Sequence, residues 1–265
     1  MSAPTAYCFY QVFEPRPTTT IAFEKDYLLY AIKGSIRLGV SGRQWTLPPS
    51  YAAWIPANTA IDVAVMHPMT CCSVLFDPGF VEHMPGDTVV FTMTPMARDM
   101  IHFSRRWGPD ADNFDGFAES YFRSIAFVCV ELAASPSDVW QPAGRSREVS
   151  RALTYTESHL AEPLTFADVA SAAGASERTL LRRFGEEVGL TWQQTLRRLR
   201  MVRAVELLSN TEDAVIQVAY GVGYASLSAF TNAFRDFTGL TPTQFRARHR
   251  SGWGVDGETL QPELE

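Results

Sequence analysis

The sequence repeats a set of residue types once in its C-terminal half, about 50 residues apart. The offset is 49 residues as far as a shared glycine and 50 from the following serine onward, so one residue is inserted between them. A repeat of this length indicates a duplicated supersecondary unit. The matching residues are Val169, Ala170, Gly174, Ser176, Leu180, Phe184, Gly189, Leu190 and Thr191 in the first copy, and Val218, Ala219, Gly223, Ser226, Phe230, Phe234, Gly239, Leu240 and Thr241 in the second.

Each copy predicts a helix, a tight turn and a second helix. Ala170 and Ala219 are small enough for the second helix to cross closely, and Gly174 and Gly223 can adopt the left-handed conformation that ends the first helix. The serine after each glycine then caps the second helix. Apolar residues one turn apart bury one face of that helix and leave the other exposed. The residues predicted on the exposed side are Ser176, Arg178, Leu181, Arg182 and Arg183 in the first copy, and Ser226, Leu227, Ser228, Thr231, Asn232 and Arg235 in the second.

Two further helices follow the copies. Thr191 caps a predicted helix over Trp192–Ser209, which sets a fixed distance between the two units. After the second copy, Thr241 and Pro242 supply the N-cap and a proline at the first helical position of a last helix. The duplicated region therefore reads as an all-α domain over residues 145–250.

Charge is unevenly distributed along the chain. The net charge of −6 alone disfavours nucleic-acid binding, because a DNA-binding surface must neutralise phosphates. Residues 145–250, however, hold 14 Lys+Arg against 11 Asp+Glu, a net of +3, while residues 1–144 hold 9 against 14, a net of −5. All 14 basic residues are arginine, which suits bidentate contacts with guanine or phosphate.

At these positions the chain resembles the AraC/XylS family of transcription regulators. The motif is Ile216-x-x-Ala219-x-x-x-Gly223-Tyr224-x-Ser226-x-Ser228-x-Phe230, followed by Phe234, Gly239, Thr241-Pro242 and Phe245-Arg246, and the resemblance covers about residues 150–248. It implies a promoter-binding activator working with RNA polymerase, with one recognition helix of each unit in successive major-groove segments. One sequence does not distinguish activation from repression. A helix-turn-helix that binds protein is the alternative, which duplicated units with exposed arginines disfavour.

The resemblance also assigns roles to exposed residues. Arg178, Leu181, Arg182, Leu227, Ser228, Thr231 and Asn232 would occupy base-facing positions. The predicted DNA-binding set is completed by Ser176, Arg183, Ser226 and Arg235. Asn232 stands where many members have arginine, so that a phosphate or guanine contact is in doubt there, and an asparagine would instead read adenine.

The N-terminal half shows short apolar or alternating runs between about residues 19 and 76, separated by glycine and proline turns, which predict a small antiparallel barrel or sandwich. Helical patterns follow over 94–107 and 115–134, the second apolar nearly all round and a candidate homodimer seam. We therefore predict an α+β protein. Its divisions are a sensor or dimerisation domain over 1–134 with helices at 94–134, a linker at 135–144, the DNA-binding domain at 145–250 and a disordered tail at 251–265.

Several N-terminal runs are similar to the cupin-type sensor barrel of such regulators, among them Tyr27–Gly34 and Trp54–Ala57. Cupin enzymes hold a metal with histidines and a glutamate, yet His67 is the only histidine among the predicted strands. A metal-dependent enzyme is therefore disfavoured, and we predict no metal, cofactor or catalytic residue. A small effector is predicted instead, with Tyr30, Trp45 and Trp54 as candidate lining residues, although core packing explains these aromatics equally well. An unliganded interaction domain is the alternative.

Other function classes are disfavoured on composition. The four cysteines form neither a CxxC pair nor a cluster with histidine, so buried reduced thiols are expected. No apolar run approaches the roughly 18 residues of a membrane helix, and the N-terminus lacks a basic region before an apolar run. We expect a cytoplasmic protein with no membrane partner. A nuclease is disfavoured because the C-terminal half shows no paired carboxylates placed for metal-assisted hydrolysis.

Overall fold

The computed structural model describes residues 4–250, with side chains described as far as residue 248. Within these residues the N-terminal half folds as two five-stranded sheets, called here sheet A and sheet B. Sheet A contains β1 (Ala6–Phe13), β3 (Asp26–Lys33), β6 (Tyr51–Ile55), β8 (Met69–Phe76) and β9 (Val89–Thr92). Sheet B contains β2 (Arg16–Ile21), β4 (Ile36–Val40), β5 (Arg43–Leu47), β7 (Ile61–Val65) and β10 (Trp140–Pro142).

The two sheets enclose one apolar layer. Their strand orders are β1-β8-β3-β6-β9 and β10-β5-β4-β7-β2, and neighbouring strands are antiparallel. Alternate residues point inward, so that Leu29 and Ile55 of sheet A meet Leu38 and Val63 of sheet B. The predicted α+β class is confirmed, but the strands form two stacked sheets and not a closed barrel.

Two helices cover the outer face of sheet A. These are α1 (Pro95–Phe103), which Thr94 caps, and α2 (Gly116–Ala133), which Asp115 caps. Phe122 of α2 is fully buried and packs edge-on against Phe76 of β8, with 6.4 Å between ring centres. Sheet A is therefore buried on both faces, which explains why β3 reads as an almost unbroken apolar run.

The predicted linker is partly a strand. Residues 140–142 form β10, which pairs with β5 so that Trp140 lies opposite Trp45. Proline at both ends of the segment obscured this strand in the sequence, and an edge strand of three residues tolerates proline. The chain thus returns to sheet B before it enters the C-terminal helices. The domain boundaries stay predictions.

The C-terminal part is helical, as the repeat predicted. Helix α3 precedes the repeat, the first unit is α4 and α5, α6 connects the units, the second unit is α7 and α8, and α9 follows. Their bounds are α3 Arg147–Ser158, α4 Phe166–Ala173, α5 Glu177–Glu187, α6 Trp192–Asn210, α7 Val215–Gly221, α8 Leu227–Thr238 and α9 Pro242–Arg250. Ser176, Thr191 and Ser226 cap α5, α6 and α8 through their hydroxyls. The predicted tail over 251–265 lies outside the described residues.

The two units are buried in different cores. In the first unit, Leu180 and Phe184 pack in a separate cluster with α3 and the start of α6. In the second, Phe230 and Phe234 belong to the cluster that also fills the space between the sheets. Tyr51 of β6 meets Phe245 of α9, with ring centres 6.4 Å apart. The second unit therefore docks on the N-terminal sheets through shared apolar packing.

Candidate nucleic-acid interface

Helix α5 presents an exposed face that carries arginine and leucine. Arg178 is exposed and has no ion-pair or hydrogen-bond partner within the described part of the chain, and the Leu181 side chain is 63% exposed. Arg182 is also exposed, and its Nη1 donates to both carboxylate oxygens of Glu186, at 2.8 and 2.9 Å. These residues lie together on the side of α5 opposite Leu180 and Phe184, as predicted.

Arg183 is separated from this group. Its Nη1 donates to Glu148 Oε2 of α3 at 2.7 Å, and its side chain is only 31% exposed. The sequence predicts a DNA contact at Arg183. Its partner, Glu148 of α3, lies 35 residues away along the chain, and no spacing rule indicates such a pair. In this arrangement Arg183 holds α5 against α3 rather than extending outward.

A second carboxylate fixes the end of α5. Glu187 Oε2 accepts hydrogen bonds from the backbone N–H groups of Arg145 and Ser146, each at 2.8 Å, at the start of α3. Partial burial raises the pKa of Glu187, but the hydrogen bonds from Ser146 and Arg145 outweigh burial and leave that pKa below its usual value. Helix α5 is thus held against the start of α3 at two points.

Helix α8 presents the corresponding face of the second unit. Ser226, Ser228, Asn232 and Arg235 are exposed, the Leu227 side chain is 40% exposed, and Thr231 is half-buried. The Asn232 carboxamide has no hydrogen-bond partner among the described residues, so both its donor and its acceptor are available to an adenine edge. Arg235 has no ion-pair partner among them either. Ser176 and Ser226 lie at the N-termini of α5 and α8, where N–H groups favour phosphate.

A close contact joins the second unit to the segment that follows α3. Gly223, in the turn of the second unit, has a φ of +84°, and an added Cβ would lie 2.2 Å from the carbonyl oxygen of Leu160, just after α3. The same carbonyl accepts a hydrogen bond from Arg200 Nε of α6 at 3.1 Å. Burial lowers the pKa of Arg200 from its ordinary value, but arginine keeps its charge in proteins. The sequence predicts the left-handed conformation of Gly223, whereas no neighbouring residue in the sequence indicates its contact with Leu160.

Arg198 of α6 joins the C-terminal helices to the N-terminal sheets. Its Nη1 donates to the carbonyl oxygens of Asp138 at 2.7 Å and Trp140 at 3.1 Å, and its Nη2 donates to Asp138 Oδ2 at 2.9 Å. The guanidinium lies 4.4 Å from the ring centre of Trp140 and 5.5 Å from that of Phe237. The Arg198 side chain is only 16% exposed, and it clamps β10 to α6.

The three candidate effector residues lie on different faces of the N-terminal domain. Trp45 faces the layer between the sheets. Tyr30 and Trp54 point from sheet A towards α1 and α2, and Trp54 Nε1 donates to the carbonyl oxygen of Pro85 at 3.0 Å. The structure therefore does not bring the three together around one cavity. Trp45 Nε1 is buried and has no hydrogen-bond partner among residues 4–250.

The described residues contain neither a cluster of metal ligands nor a membrane-spanning helix. Among them, no three histidine, cysteine, aspartate or glutamate side chains converge as metal ligands would. None of their helices combines the length and apolar character needed to cross a membrane.

Comparison with known proteins gives consistent matches. A family model described as a helix-turn-helix domain matches residues 169–248. The HTH-type transcriptional regulator NimR of Escherichia coli K12 is 27% identical over 251 residues, which cover 93% of this chain and 88% of NimR. The HTH-type transcriptional activator RhaS of Escherichia fergusonii is 34% identical over 125 residues, which cover 47% of this chain and 45% of RhaS. A solved AraC-type DNA-binding regulator from Chromobacterium violaceum is 29% identical and covers 39% of this chain and 93% of its own, with a TM-score of 0.38.

Proposed function

We propose that this chain, a transcription regulator of the AraC/XylS type, binds promoter DNA with α5 and α8 in neighbouring segments of the major groove. The supporting observation is that the two helices of the repeat bury matching apolar residues and expose Arg178 and Leu181 on one helix and Leu227 and Asn232 on the other. The sequence predicts a regulator rather than an enzyme, and the matching relatives, which are transcription regulators, confirm this prediction.

Helix α6 is suited to hold the two units at a fixed separation. It contains 19 residues without a proline or glycine, and a helix of that length spans about 28 Å at 1.5 Å per residue. One turn of duplex is about 34 Å long. A stiff connector of this length favours two contacts on one face of the duplex rather than one unit reading alone.

Arg182→Ala is expected to weaken specific DNA binding by about 1–3 kcal/mol, a five- to 150-fold rise in Kd. In the unbound protein Arg182 pairs with Glu186. An exposed pair of this kind contributes little, so the arginine can exchange the carboxylate for a guanine edge. The measurement is a fluorescence-anisotropy titration at fixed salt, with a duplex that the full-length protein selects from a random library.

Arg123→Ala is the matched control, because Arg123 also pairs with a glutamate one turn away but lies on α2 of the N-terminal domain. Glu186→Gln should tighten binding, since it removes the competing carboxylate from Arg182. An Arg182→Ala protein that binds the selected duplex as tightly as the Arg123→Ala protein would reject a base-reading role for Arg182.

We also propose that the N-terminal domain binds a small effector or forms a homodimer. Trp45 Nε1 favours the effector, because a buried donor without a partner costs free energy that an acceptor on a ligand would recover. Helix α2 favours the dimer: Phe117 and Phe127 are 60% and 59% exposed on one face, with the small Ser120 and Ser124 between them. The two roles are compatible, and sedimentation equilibrium of the full chain tests the dimer: a monomer mass would exclude it. We place the regulator in the cytoplasm, acting with RNA polymerase.

A further inference from the structure

An open cleft of about 330 Å³ lies where the N-terminal sheets meet the C-terminal helices. Four segments contribute to it: Asp138 shortly before β10, Leu190 between α5 and α6, helix α6 and helix α8. Its floor is apolar and includes Met201, Ala233 and Phe237, of which Met201 and Ala233 are buried. Met201 and Ala233 belong to the same apolar cluster as Trp45, but Trp45 does not line the cleft.

Two charged groups at the cleft are already satisfied by the protein. Arg198 donates to two carbonyl oxygens and to the carboxylate of Asp138. The second carboxylate oxygen of Asp138 accepts from Trp140 Nε1 at 2.6 Å. Arg198 and Asp138 therefore neutralise each other and hold the wall of the cleft in place.

Asp236 also lies at the rim, where its carboxylate makes one contact among the described residues, to Arg197. The two other rim groups with unused capacity, Gln194 and Arg197, are hydrogen-bond donors. Gln194 uses its carbonyl oxygen to accept from the backbone N–H and hydroxyl of Thr191, so its amide N–H groups remain for another partner. Arg197 makes one ion-pair contact, to Asp236 at 3.3 Å, and approaches the Tyr224 hydroxyl. The Arg197 side chain is 60% exposed and has five N–H donors, more than these two partners engage.

Donors at the rim and an apolar floor define the chemistry of a ligand. We propose that this cleft binds a small monocarboxylate with an apolar body, the carboxylate at Arg197 and Gln194 and the body on Met201, Ala233 and Phe237. A bidentate arginine–carboxylate contact is stronger than the exposed, single contact with Asp236 that it would replace. The ligand would touch both recognition helix α8 and the segment leading into β10, which makes it a candidate effector that acts between the domains.

Phenylacetate is a suitable probe, because its neutral and cationic analogues, phenylacetamide and phenethylammonium, keep the ring and change only the polar group. The experiment is an NMR titration of the full-length protein labelled at its methionine methyl groups. Met201 reports from the floor of the cleft, and Met96, which is 58% exposed on α1, reports non-specific binding. We expect the Met201 signal to shift saturably with phenylacetate, about tenfold more weakly with phenylacetamide, and not with phenethylammonium.

Three variants locate the carboxylate. Arg197→Gln should weaken phenylacetate binding about tenfold, and Asp236→Asn should tighten it, because it removes both the competitor for Arg197 and a repelling charge. Arg203→Gln is the matched control, since Arg203 is another exposed arginine of α6, paired with Glu206, that does not line the cleft. A gain of affinity in Asp236→Asn would not arise from misfolding.

The proposal is overturned if Met201 does not respond to phenylacetate, if phenylacetamide binds as tightly, or if Arg197→Gln and Arg203→Gln behave alike. No DNA is present in this titration. Its failure would therefore leave the proposed promoter binding untouched, and a failure to bind DNA would leave the cleft untouched.

Discussion

Replacing Gly223 by alanine is expected to lower the free energy of unfolding by about 3 kcal/mol, because two penalties combine. The backbone at Gly223 has a φ of +84°, which disfavours any residue with a Cβ. The new Cβ would also lie 2.2 Å from the carbonyl oxygen of Leu160 and 2.7 Å from Nη2 of Arg200. The backbone at Leu160 cannot move aside without disturbing the hydrogen bond that its carbonyl accepts from the half-buried Arg200.

Gly174→Ala is the matched control for this prediction, since Gly174 occupies the position in the first unit that Gly223 occupies in the second. Its φ is +71°, but the nearest atom to an added Cβ is Arg151 Nη1 at 3.6 Å, an ordinary contact. Only the conformational penalty applies there, about 1–2 kcal/mol. Urea unfolding of both variants, followed by circular dichroism, measures the difference. Equal losses would show that the Leu160 contact contributes nothing.

Phe234→Ala is expected to destabilise the protein by about 3–5 kcal/mol, the usual cost of emptying a buried phenylalanine site. Phe234 is fully buried, with ring centres 5.7 Å from Phe230 and 5.4 Å from Phe245. Because this cluster continues into the layer between the sheets, the loss should reach the N-terminal domain as well. Thermal unfolding of the full chain gives the size of the destabilisation, and hydrogen exchange shows which strands and helices lose amide protection.

Phe184→Ala removes the equivalent phenylalanine of the first unit and should cost a similar free energy, about 3–5 kcal/mol. Its cluster contains α3, α4, α5 and the start of α6 but no strand. We therefore expect faster amide exchange in α4 and α5 with unchanged protection of β3 and β6, whereas Phe234→Ala should lower protection in both strands. Identical exchange patterns for the two variants would contradict the division into a docked and an independent unit.

Local patterns predicted most of the C-terminal domain. Glycine, serine and threonine at repeated positions determine where its helices begin and end, and the caps at Ser176, Thr191 and Ser226 are confirmed. In the N-terminal half, β5 and β6 are two of the short runs that glycine and proline turns enclose on both sides. These are features that a few neighbouring residues decide.

Long-range pairing was not predictable. Strand β2 contains Pro17 and three threonines, and β10 is three residues long, so both depend on partners elsewhere in sheet B. Period-two alternation likewise places Tyr30 on one face of β3, but only the packing of α1 and α2 shows that this face is not the one towards sheet B.

The same limit applies to the site. Exposure of Arg178, Leu181 and Asn232 followed from helical periodicity and the buried residues opposite them. The partners of Arg183 and Arg198 lie 35 and 60 residues away along the chain, on elements whose packing no spacing rule gives. An arginine on a predicted surface can therefore be a DNA contact or a structural clamp, and only its surroundings separate the two.

The central claim is that both units read DNA at once, and selection of bound duplexes from a random library by the full-length protein tests it most directly. We expect an enriched site with two sequence blocks whose centres lie about 10 base pairs apart, one helical turn of the duplex. Arg182→Ala should weaken the base preference in one block, and Asn232→Ala should weaken it in the other. Enrichment of a single block, or of no sequence at low salt, would contradict the account.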